Sequence, residues 1–220
     1  MATEPSKGIL KQGVQDTEAT FTTTMASSSK TNAASSGRST SPVYFWRETE
    51  EPFGCFSQWY QKPFTEPQES GESVTFETAE QYMMYHKAIL FDDPSIATQI
   101  LGARTGRKQR ALGRQVHDFD ESTWSKNRSR IVQSGNLLKF SQDEELKRIL
   151  LETGDREIVE ASPRDRIWGI GYGAKNAPSM REKWGLNLLG KVLMEVRKQI
   201  REEQGEEDKP KKKKARISND

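Results

Sequence analysis

Cysteine and histidine are both scarce in this chain of 220 residues. Cys55 is its one cysteine, so no intramolecular disulfide can form, and we expect the chain to work in a reducing compartment. His86 and His117 are its two histidines, and with one cysteine they cannot supply a zinc site of the usual composition. The sequence therefore predicts that no metal is bound. It favours surface or partly buried positions for both histidines.

Long apolar stretches are also lacking. Only 33% of the residues are hydrophobic, whereas 30% are charged, and no apolar run approaches the roughly 20 residues that span a bilayer. The amino terminus lacks the apolar segment that a signal peptide contains. We find no G-x-S-x-G elbow, no Walker A loop and no H-E-x-x-H motif. These absences favour an intracellular protein, in the nucleus or the cytoplasm, that contacts no membrane.

The large apolar and aromatic residues crowd into the middle of the chain. Residues 1–42 are rich in Ser and Thr, so they cannot offset the entropy of ordering, and we predict a disordered arm. Residues 43–203 are long enough for one domain with an enclosed site, and residues 204–220 form a charged tail. Residues 43–200 carry 23 basic and 23 acidic side chains. The net charge of these residues is therefore zero, and their electrostatic potential alone will not attract nucleic acid.

Helical patterns outnumber strand patterns within the domain. Five helices are predicted from capping boxes, proline in a first turn, glycine at helix ends and the spacing of apolar residues. They span Thr78–Phe91, Asp93–Gly102, Ser122–Gln133, a segment that starts at Ser141 and stops before Gly154, and Asn187–Glu203. Short strands are predicted at Val43–Glu48, Val74–Glu77 and Glu157–Ser162. The sequence therefore predicts a predominantly helical α+β domain with a few short strands.

Glu80 is the first candidate for a functional carboxylate. It falls in the first turn of a predicted helix, where the helix dipole favours the ionised form. Glu80, Met84 and Lys87 recur at helical spacing and share one face, so a carboxylate and an ammonium group could hold a polar ligand in one groove. The alternative is that Glu80 only interacts favourably with the helix dipole and that Lys87 is solvated, with no ligand between them.

A second group of candidates lies where the last predicted strand ends. Glu160, Asp165 and Trp168 come just before a glycine-rich loop that starts at Gly169, and an aromatic plate beside acids suits a flat heterocycle attached to a sugar. The loop lacks the dinucleotide fingerprint, although it could let the backbone approach a ligand closely. Burial of Trp168 under a turn is the alternative, and for Trp124 the alternative is packing in the core.

Basic side chains are concentrated between the second and third predicted helices. They are Arg104, Arg107, Lys108, Arg110 and Arg114. Such a cluster could grip a phosphate, although a solvated charged loop is the commoner explanation. We expect a loop here.

Eight short motifs follow one another along residues 43–203 in a specific order. They are T-A-E-Q-Y-M-M-Y-H-K-A from Thr78, L-G-R-x-V from Leu112, Trp124 before Arg128, Lys139-Phe140, L-L-x-T-G from Leu150, V-E-A-S from Val159, D-x-x-W-G from Asp165, and N-L-L-G-K-x-L-M from Asn187. As an ordered set they resemble the NADAR domain, also called YbiA-like.

This resemblance implies an N-glycosidase without a cofactor. Members of the family hydrolyse the ribose–base bond of phosphorylated riboflavin-pathway intermediates, and others remove ADP-ribose from guanine in nucleic acid. The resemblance implies that the functional glutamate, tryptophan and aspartate are Glu80, Trp124 and Asp165. The insertion Gln68–Ser73 departs from compact bacterial members and leaves the choice of substrate open.

The chemistry of N-glycoside hydrolysis suggests a role for each candidate. An ionised Glu80 would stabilise oxocarbenium charge on the sugar or orient water, and Asp165 would either protonate the leaving base or bind a sugar hydroxyl. The residues predicted to bind substrate are Lys87, Arg114, Glu160, Trp168, Gly169 and Asn187.

Two other functions remain open from the sequence. The first is a module that binds ADP-ribose or a related nucleotide without cleaving it. The second is nucleic-acid binding through the basic run Lys209–Arg216. Because the domain itself is electrically balanced, this run is better interpreted as a nuclear-localisation-like signal that an import receptor recognises.

Overall fold

The computed structural model describes residues 40–207. Almost all of the predicted arm at residues 1–42 lies outside the described residues, as does the whole basic run Lys209–Arg216. The disorder of the arm and the import signal therefore stay predictions. Within the described part, no helix combines the length and the apolar character that crossing a membrane requires.

Helices dominate the described chain and the strands are short, which confirms the α+β class. The α-helices are α1 (Ala79–Leu90), α2 (Pro94–Leu101), α3 (Gly106–Gly113), α4 (Glu121–Ser141), α5 (Glu144–Glu152) and α6 (Leu188–Glu207). The strands are β1 (Val43–Phe45), β2 (Phe64–Pro67), β3 (Ser73–Phe76) and β4 (Ile158–Glu160). Short 3₁₀ helices lie at Gly54–Phe56 and Pro178–Lys183.

The strands of the described region form two separate pairs. β1 runs parallel to β4 with Phe45 opposite Glu160, and β2 runs antiparallel to β3 with Phe64 opposite Phe76. Parallel strands end at the same edge. The segment that follows β1 therefore meets the segment that follows β4, although more than a hundred residues separate them along the chain.

Helix α1 lies at the centre of the helical layer, where it packs against α2, α3 and α4. Glycines on two neighbours allow this close packing. A Cβ atom on Gly113 of α3 would overlap the side chain of Met84, and a Cβ atom on Gly135 of α4 would lie 2.5 Å from the ring of Tyr82. Only a glycine fits at such distances in a close-packed interior, and the position of α1 depends on both.

Helix α3 corrects the prediction of a basic loop at Arg104–Arg114. The hydroxyl of Thr105 caps this helix by accepting a hydrogen bond from the backbone N–H of Lys108. The buried face of α3 includes glycine and the completely buried Gln109. Prediction of a helix from periodicity requires large apolar residues at such positions. The apolar pattern was therefore too weak to indicate a helix.

Other elements differ from the prediction at their boundaries. Phe64–Pro67 forms β2, a strand that is not among the predicted ones, and α4 continues beyond Gln133 to Ser141. Gly135 of α4 meets Tyr82 of α1 and Asn136 meets Gln58, so both interrupt the apolar pattern without interrupting the helix. The prediction that the next helix is capped at Ser141 is wrong. Asp143 caps α5, because its side chain accepts a hydrogen bond from the backbone N–H of Leu146.

We expect Gly135→Ala to lower the free energy of unfolding by about 1–3 kcal/mol. The added Cβ would displace the Tyr82 ring, whose hydroxyl donates to Glu66 at 2.8 Å. Gly102→Ala is the matched control, because a Cβ atom there would lie 3.6 Å from the carbonyl oxygen of Gln99, an ordinary van der Waals contact. Denaturant unfolding measures the difference, and equal midpoints for the two variants would contradict this description of the α1–α4 contact.

Candidate active site

A cavity of about 540 Å³ opens at the edge where β1 and β4 end. Of the nine predicted site residues, those in its wall are Glu80, Lys87, Arg114, Trp124, Glu160, Asp165 and Trp168. Gly169 and Asn187 are not in the wall. The predicted insertion forms the hairpin turn between β2 and β3, with a hydrogen bond from the N–H of Gln68 to the carbonyl of Glu72, and does not line the cavity.

The start of α1 places Glu80 in the cavity wall. Thr78 caps the helix as predicted, because its hydroxyl accepts a hydrogen bond from the N–H of Gln81 at 3.0 Å. The backbone N–H of Glu80 donates to the carbonyl of Gln58 at 2.8 Å. Its carboxylate accepts a hydrogen bond from the side chain of Trp59, and the residue is only 4% exposed. Both its backbone and its side chain are therefore fixed.

Burial raises the pKa of the Glu80 carboxyl to about 7, because water no longer solvates its charge. The guanidinium group of Arg110 and the hydrogen bond from Trp59 lower the pKa, whereas the negative charge of Asp165 raises it. The prediction that Glu80 stays ionised therefore holds only in part, because a carboxyl with a pKa of about 7 is partly protonated at neutral pH. The dipole contributes only about 0.3–1 kcal/mol, less than the cost of burying a carboxylate.

Glu160 ends β4 and lines the same cavity. Burial, followed by the negative charges of Asp165 and Glu80, raises the pKa of its carboxyl to about 8, against the opposing charge of Arg110. Its Oε2 atom is buried and has no hydrogen-bond partner among the residues that the structure describes. Glu160 therefore holds a proton over most of the neutral range.

Asp165 completes an acid cluster, which consists of Glu80, Glu160 and Asp165. Its Oδ1 atom accepts hydrogen bonds from the N–H groups of Ile167 and Trp168, both at 2.8 Å, so the turn after β4 fixes this carboxylate. Within residues 40–207, no group of His, Cys, Asp or Glu is arranged to hold a metal ion. The two glutamates of the cluster can exchange protons near neutral pH, and such raised pKa values are concentrated in functional sites.

Lys87 and Trp124 are neighbours in another part of the wall. The Nζ atom of Lys87 donates to the carbonyl of Gly113 at 2.8 Å and lies 4.0 Å from the ring centre of Phe119 and 5.7 Å from that of Trp124. Burial lowers the pKa of Lys87. Trp124 is 8% exposed, so it packs in the core and also lines the cavity.

Five arginines line the cavity, and they come from two parts of the fold. Arg107, Arg110 and Arg114 lie on one face of α3 and its C-terminal cap, whereas Arg47 and Arg164 follow β1 and β4. None of the five takes part in the ion pairs formed within residues 40–207. Arginines that are not engaged in ion pairs with carboxylates favour an anionic ligand.

Gly169 and Asn187 lie behind the wall and contact the backbone of β4. Asn187 accepts from the N–H of Glu160 at 3.0 Å through Oδ1 and donates to the carbonyl of Ile158 at 2.9 Å through Nδ2. A Cβ atom on Gly169 would lie 2.8 Å from the carbonyl oxygen of Glu160. Both residues therefore position Glu160 rather than face the cavity.

Sequence reasoning missed Gln58 and Trp59, which line the cavity from the loop after β1. Lys139, completely buried on α4, anchors this loop by donating to the carbonyls of Cys55 at 2.6 Å and Ser57 at 3.2 Å. Burial lowers the pKa of Lys139 to about 8. No feature of the sequence marked Gln58, because its place in the wall depends on contacts with residues far along the chain.

Comparison with known proteins supports the resemblance found in the sequence. The family model described as the NADAR domain matches residues 44–201. The chain is 48% identical to the N-glycosidase R617 of Acanthamoeba polyphaga mimivirus over 146 residues, which are 66% of this chain and 86% of the relative. It is 32% identical to the chloroplastic riboflavin biosynthesis protein PYRR of Zea mays over 168 residues, 73% of this chain and 25% of the maize protein. The NMR structure of the E. coli protein YbiA superposes with a TM-score of 0.60 at 25% identity, covering 76% of this chain and 89% of that chain.

We expect Trp59→Phe to raise the pKa of Glu80 above its present value of about 7, because the lost hydrogen bond favours the ionised carboxylate. Trp184→Phe is the matched control, since that indole donates to the carbonyl of Ala177 and does not line the cavity. Carbon NMR titration of the Glu80 carboxyl measures the shift. An unchanged midpoint in Trp59→Phe, or the same shift in both variants, would contradict the assignment.

Proposed function

Because this chain belongs to the NADAR domain family, which includes relatives named N-glycosidases, we propose that it hydrolyses the bond between ribose and base in a nucleotide-like substrate, without a metal ion. Two substrates fit this proposal: a ribosylaminopyrimidine phosphate of the riboflavin pathway, and ADP-ribose attached to guanine in nucleic acid. The observation that carries the proposal is the acid cluster, in which two buried glutamates titrate near neutral pH in a cavity that five arginines also line.

Glu80 acts on the water and on the sugar. Breaking an N-glycosidic bond develops oxocarbenium charge on the ribose, which a nearby carboxylate stabilises. With a pKa of about 7, Glu80 is partly ionised at neutral pH and can accept a proton from the attacking water. Its burial strengthens both effects, because charges interact more strongly away from bulk water.

Asp165 binds a sugar hydroxyl in this proposal. The sequence left open whether it does so or protonates the base. Since its Oδ1 already accepts two backbone hydrogen bonds, we assign the remaining oxygen to accept from a hydroxyl. The rings of Trp124 and Trp168, which line the cavity, wall or stack on the base.

The cationic residues bind the phosphate. Arg114 offers the planar fork that matches phosphate oxygens, and Arg107 and Arg110 extend the same positive face. Lys87 adds a charge at the neighbouring part of the wall. Asn187 acts indirectly, because its contacts with β4 fix Glu160.

The proposal is tested by incubating the full chain with each of the two substrates and detecting free base or sugar product. We expect Glu80→Gln to lower the turnover number by about 100- to 10 000-fold and to leave the thermal midpoint almost unchanged. Glu77→Gln is the matched control on the same segment, because Glu77 is exposed and does not line the cavity. Its turnover should equal that of the wild type.

Two outcomes would contradict the proposal. A folded chain that cleaves neither substrate would exclude the N-glycosidase function for these classes. If calorimetry then showed tight binding of ADP-ribose without turnover, the chain would be a binding module. Full activity of Glu80→Gln would reject the role of Glu80 even if the chain is an enzyme.

We expect Arg114→Ala to raise KM for the phosphorylated substrate by about 10- to 100-fold, the usual loss when a charge-assisted hydrogen bond is removed. Arg104→Ala is the control, because Arg104 is exposed and does not line the cavity. Steady-state kinetics at two salt concentrations measure the effect, which should shrink at high salt. The same KM for both variants would show that Arg114 does not bind phosphate.

A further inference from the structure

The side-chain amide of Gln58 has its orientation fixed by its neighbours. Asn136 is completely buried and donates from Nδ2 to the carbonyl of Val132 at 2.8 Å and to Oε1 of Gln58 at 2.9 Å. Turning over the Asn136 amide would bring its oxygen against the carbonyl oxygen of Val132, so Nδ2 must face that carbonyl. Oε1 of Gln58 is therefore held by Asn136, and its Nε2 group remains as a donor.

The Nε2 group of Gln58 is one of two buried polar groups that belong to side chains of the cavity wall and have no hydrogen-bond partner among the described residues. Among the described residues, four buried side-chain polar atoms lack a hydrogen-bond partner. Two of them, Nε2 of Gln58 and Oε2 of Glu160, belong to side chains that line the cavity. Gln58 is only 8% exposed. Buried polar groups are costly to leave unpaired, so these two atoms are available to form hydrogen bonds with a molecule bound in the cavity.

The backbone around Gln58 is fixed as well. Lys139 donates to the carbonyls of Cys55 and Ser57, and the carbonyl of Gln58 accepts from the N–H of Glu80 at 2.8 Å. The backbone of Gln58 is therefore held beside that of Glu80, the residue assigned to activate water, while Asn136 holds the side-chain amide. A donor placed in advance of the reaction stabilises charge without reorganisation.

We propose that Gln58 and Glu160 bind the leaving base, with Gln58 donating a hydrogen bond to an acceptor atom of the base and Glu160 supplying its proton. The inference rests on the proposed N-glycosidase function. When the C1′–N bond breaks, its electron pair passes to the base nitrogen, which takes the proton of Glu160. Water adds to C1′ and gives a proton to Glu80, so one water is consumed. Proton exchange with solvent then restores both carboxyl groups.

Glu160 suits proton delivery better than Asp165. The charged groups that act on Glu160 are Glu80 from α1, Asp165 from the turn after β4, and Arg110 from α3. Burial and the two negative neighbours raise the pKa to about 8, so the carboxyl keeps its proton at neutral pH. Asp165 instead uses Oδ1 to accept two backbone hydrogen bonds.

The assignment of Glu160 as the proton donor is tested with two substrates, one whose leaving group must be protonated and one whose leaving group departs without a proton. The full chain is assayed with the ribosylaminopyrimidine phosphate or ADP-ribosylated guanosine, whichever the wild type cleaves, and with para-nitrophenyl riboside phosphate, whose leaving group departs without a proton. On the base substrate we expect Glu160→Gln to lower kcat by about 100- to 10 000-fold and Gln58→Leu by about 10- to 100-fold. On the nitrophenyl substrate both variants should lose less than about tenfold.

Gln61→Leu is the matched control for the loop. The amide of Gln61 donates to the carbonyl of Arg104 at an exposed position and does not line the cavity, so both activities should be unchanged. Equal losses of Gln58→Leu and Glu160→Gln on the two substrates would indicate a merely structural role and overturn the inference. Full activity of either variant on the base substrate would also overturn it.

The pH profile decides the assignment if the wild type cleaves only the base substrate. A proton donor must be protonated, so wild-type kcat should fall as the pH rises through about 8, the pKa of Glu160. This fall should be absent in Glu160→Gln and present in Gln58→Leu, and its persistence in Glu160→Gln would overturn the inference. A wild-type chain that cleaves no substrate would overturn the N-glycosidase function itself, and this inference with it.

Discussion

Two glutamates are buried at one cavity, and their burial determines the chemistry that the site can perform. Glu80 begins α1 and Glu160 ends β4, and in both places water cannot fully solvate a negative charge. Asp165 raises the pKa of both carboxyl groups, whereas Arg110 lowers both. This balance leaves the two glutamates able to exchange protons near neutral pH, which an exposed glutamate does not do.

The fold maintains this arrangement by joining segments that are distant in sequence. The parallel pairing of β1 with β4 brings the end of the third predicted strand beside the aromatic loop, and Asn187 holds the last residues of β4 through both atoms of its amide. Gly135 allows α4 to approach α1. From the same helix, Lys139 anchors the loop whose Trp59 donates to Glu80. The same helix therefore packs against α1 in the core and fixes a loop of the cavity wall.

Periodicity and capping predicted much of the fold, because they depend on neighbouring residues. Thr78 caps α1 as the capping box indicates, and α6 carries its predicted apolar stripe into the core. Contacts between distant residues could not be predicted in this way. α3 was missed because Gln109 faces the core, and the ionisation of Glu80 depends on burial that the helix dipole argument does not include. Gln58 gains its orientation from Asn136, 78 positions later in the chain.

Both buried glutamates titrate far above the ordinary range of a glutamate carboxyl. Carbon NMR of the full chain labelled at the glutamate carboxyl carbons, with Glu80 and Glu160 assigned by substitution to Gln, measures this directly. The structure predicts midpoints of about 7 for Glu80 and about 8 for Glu160. Midpoints close to about 4.3, the value of a solvated glutamate, would contradict the account.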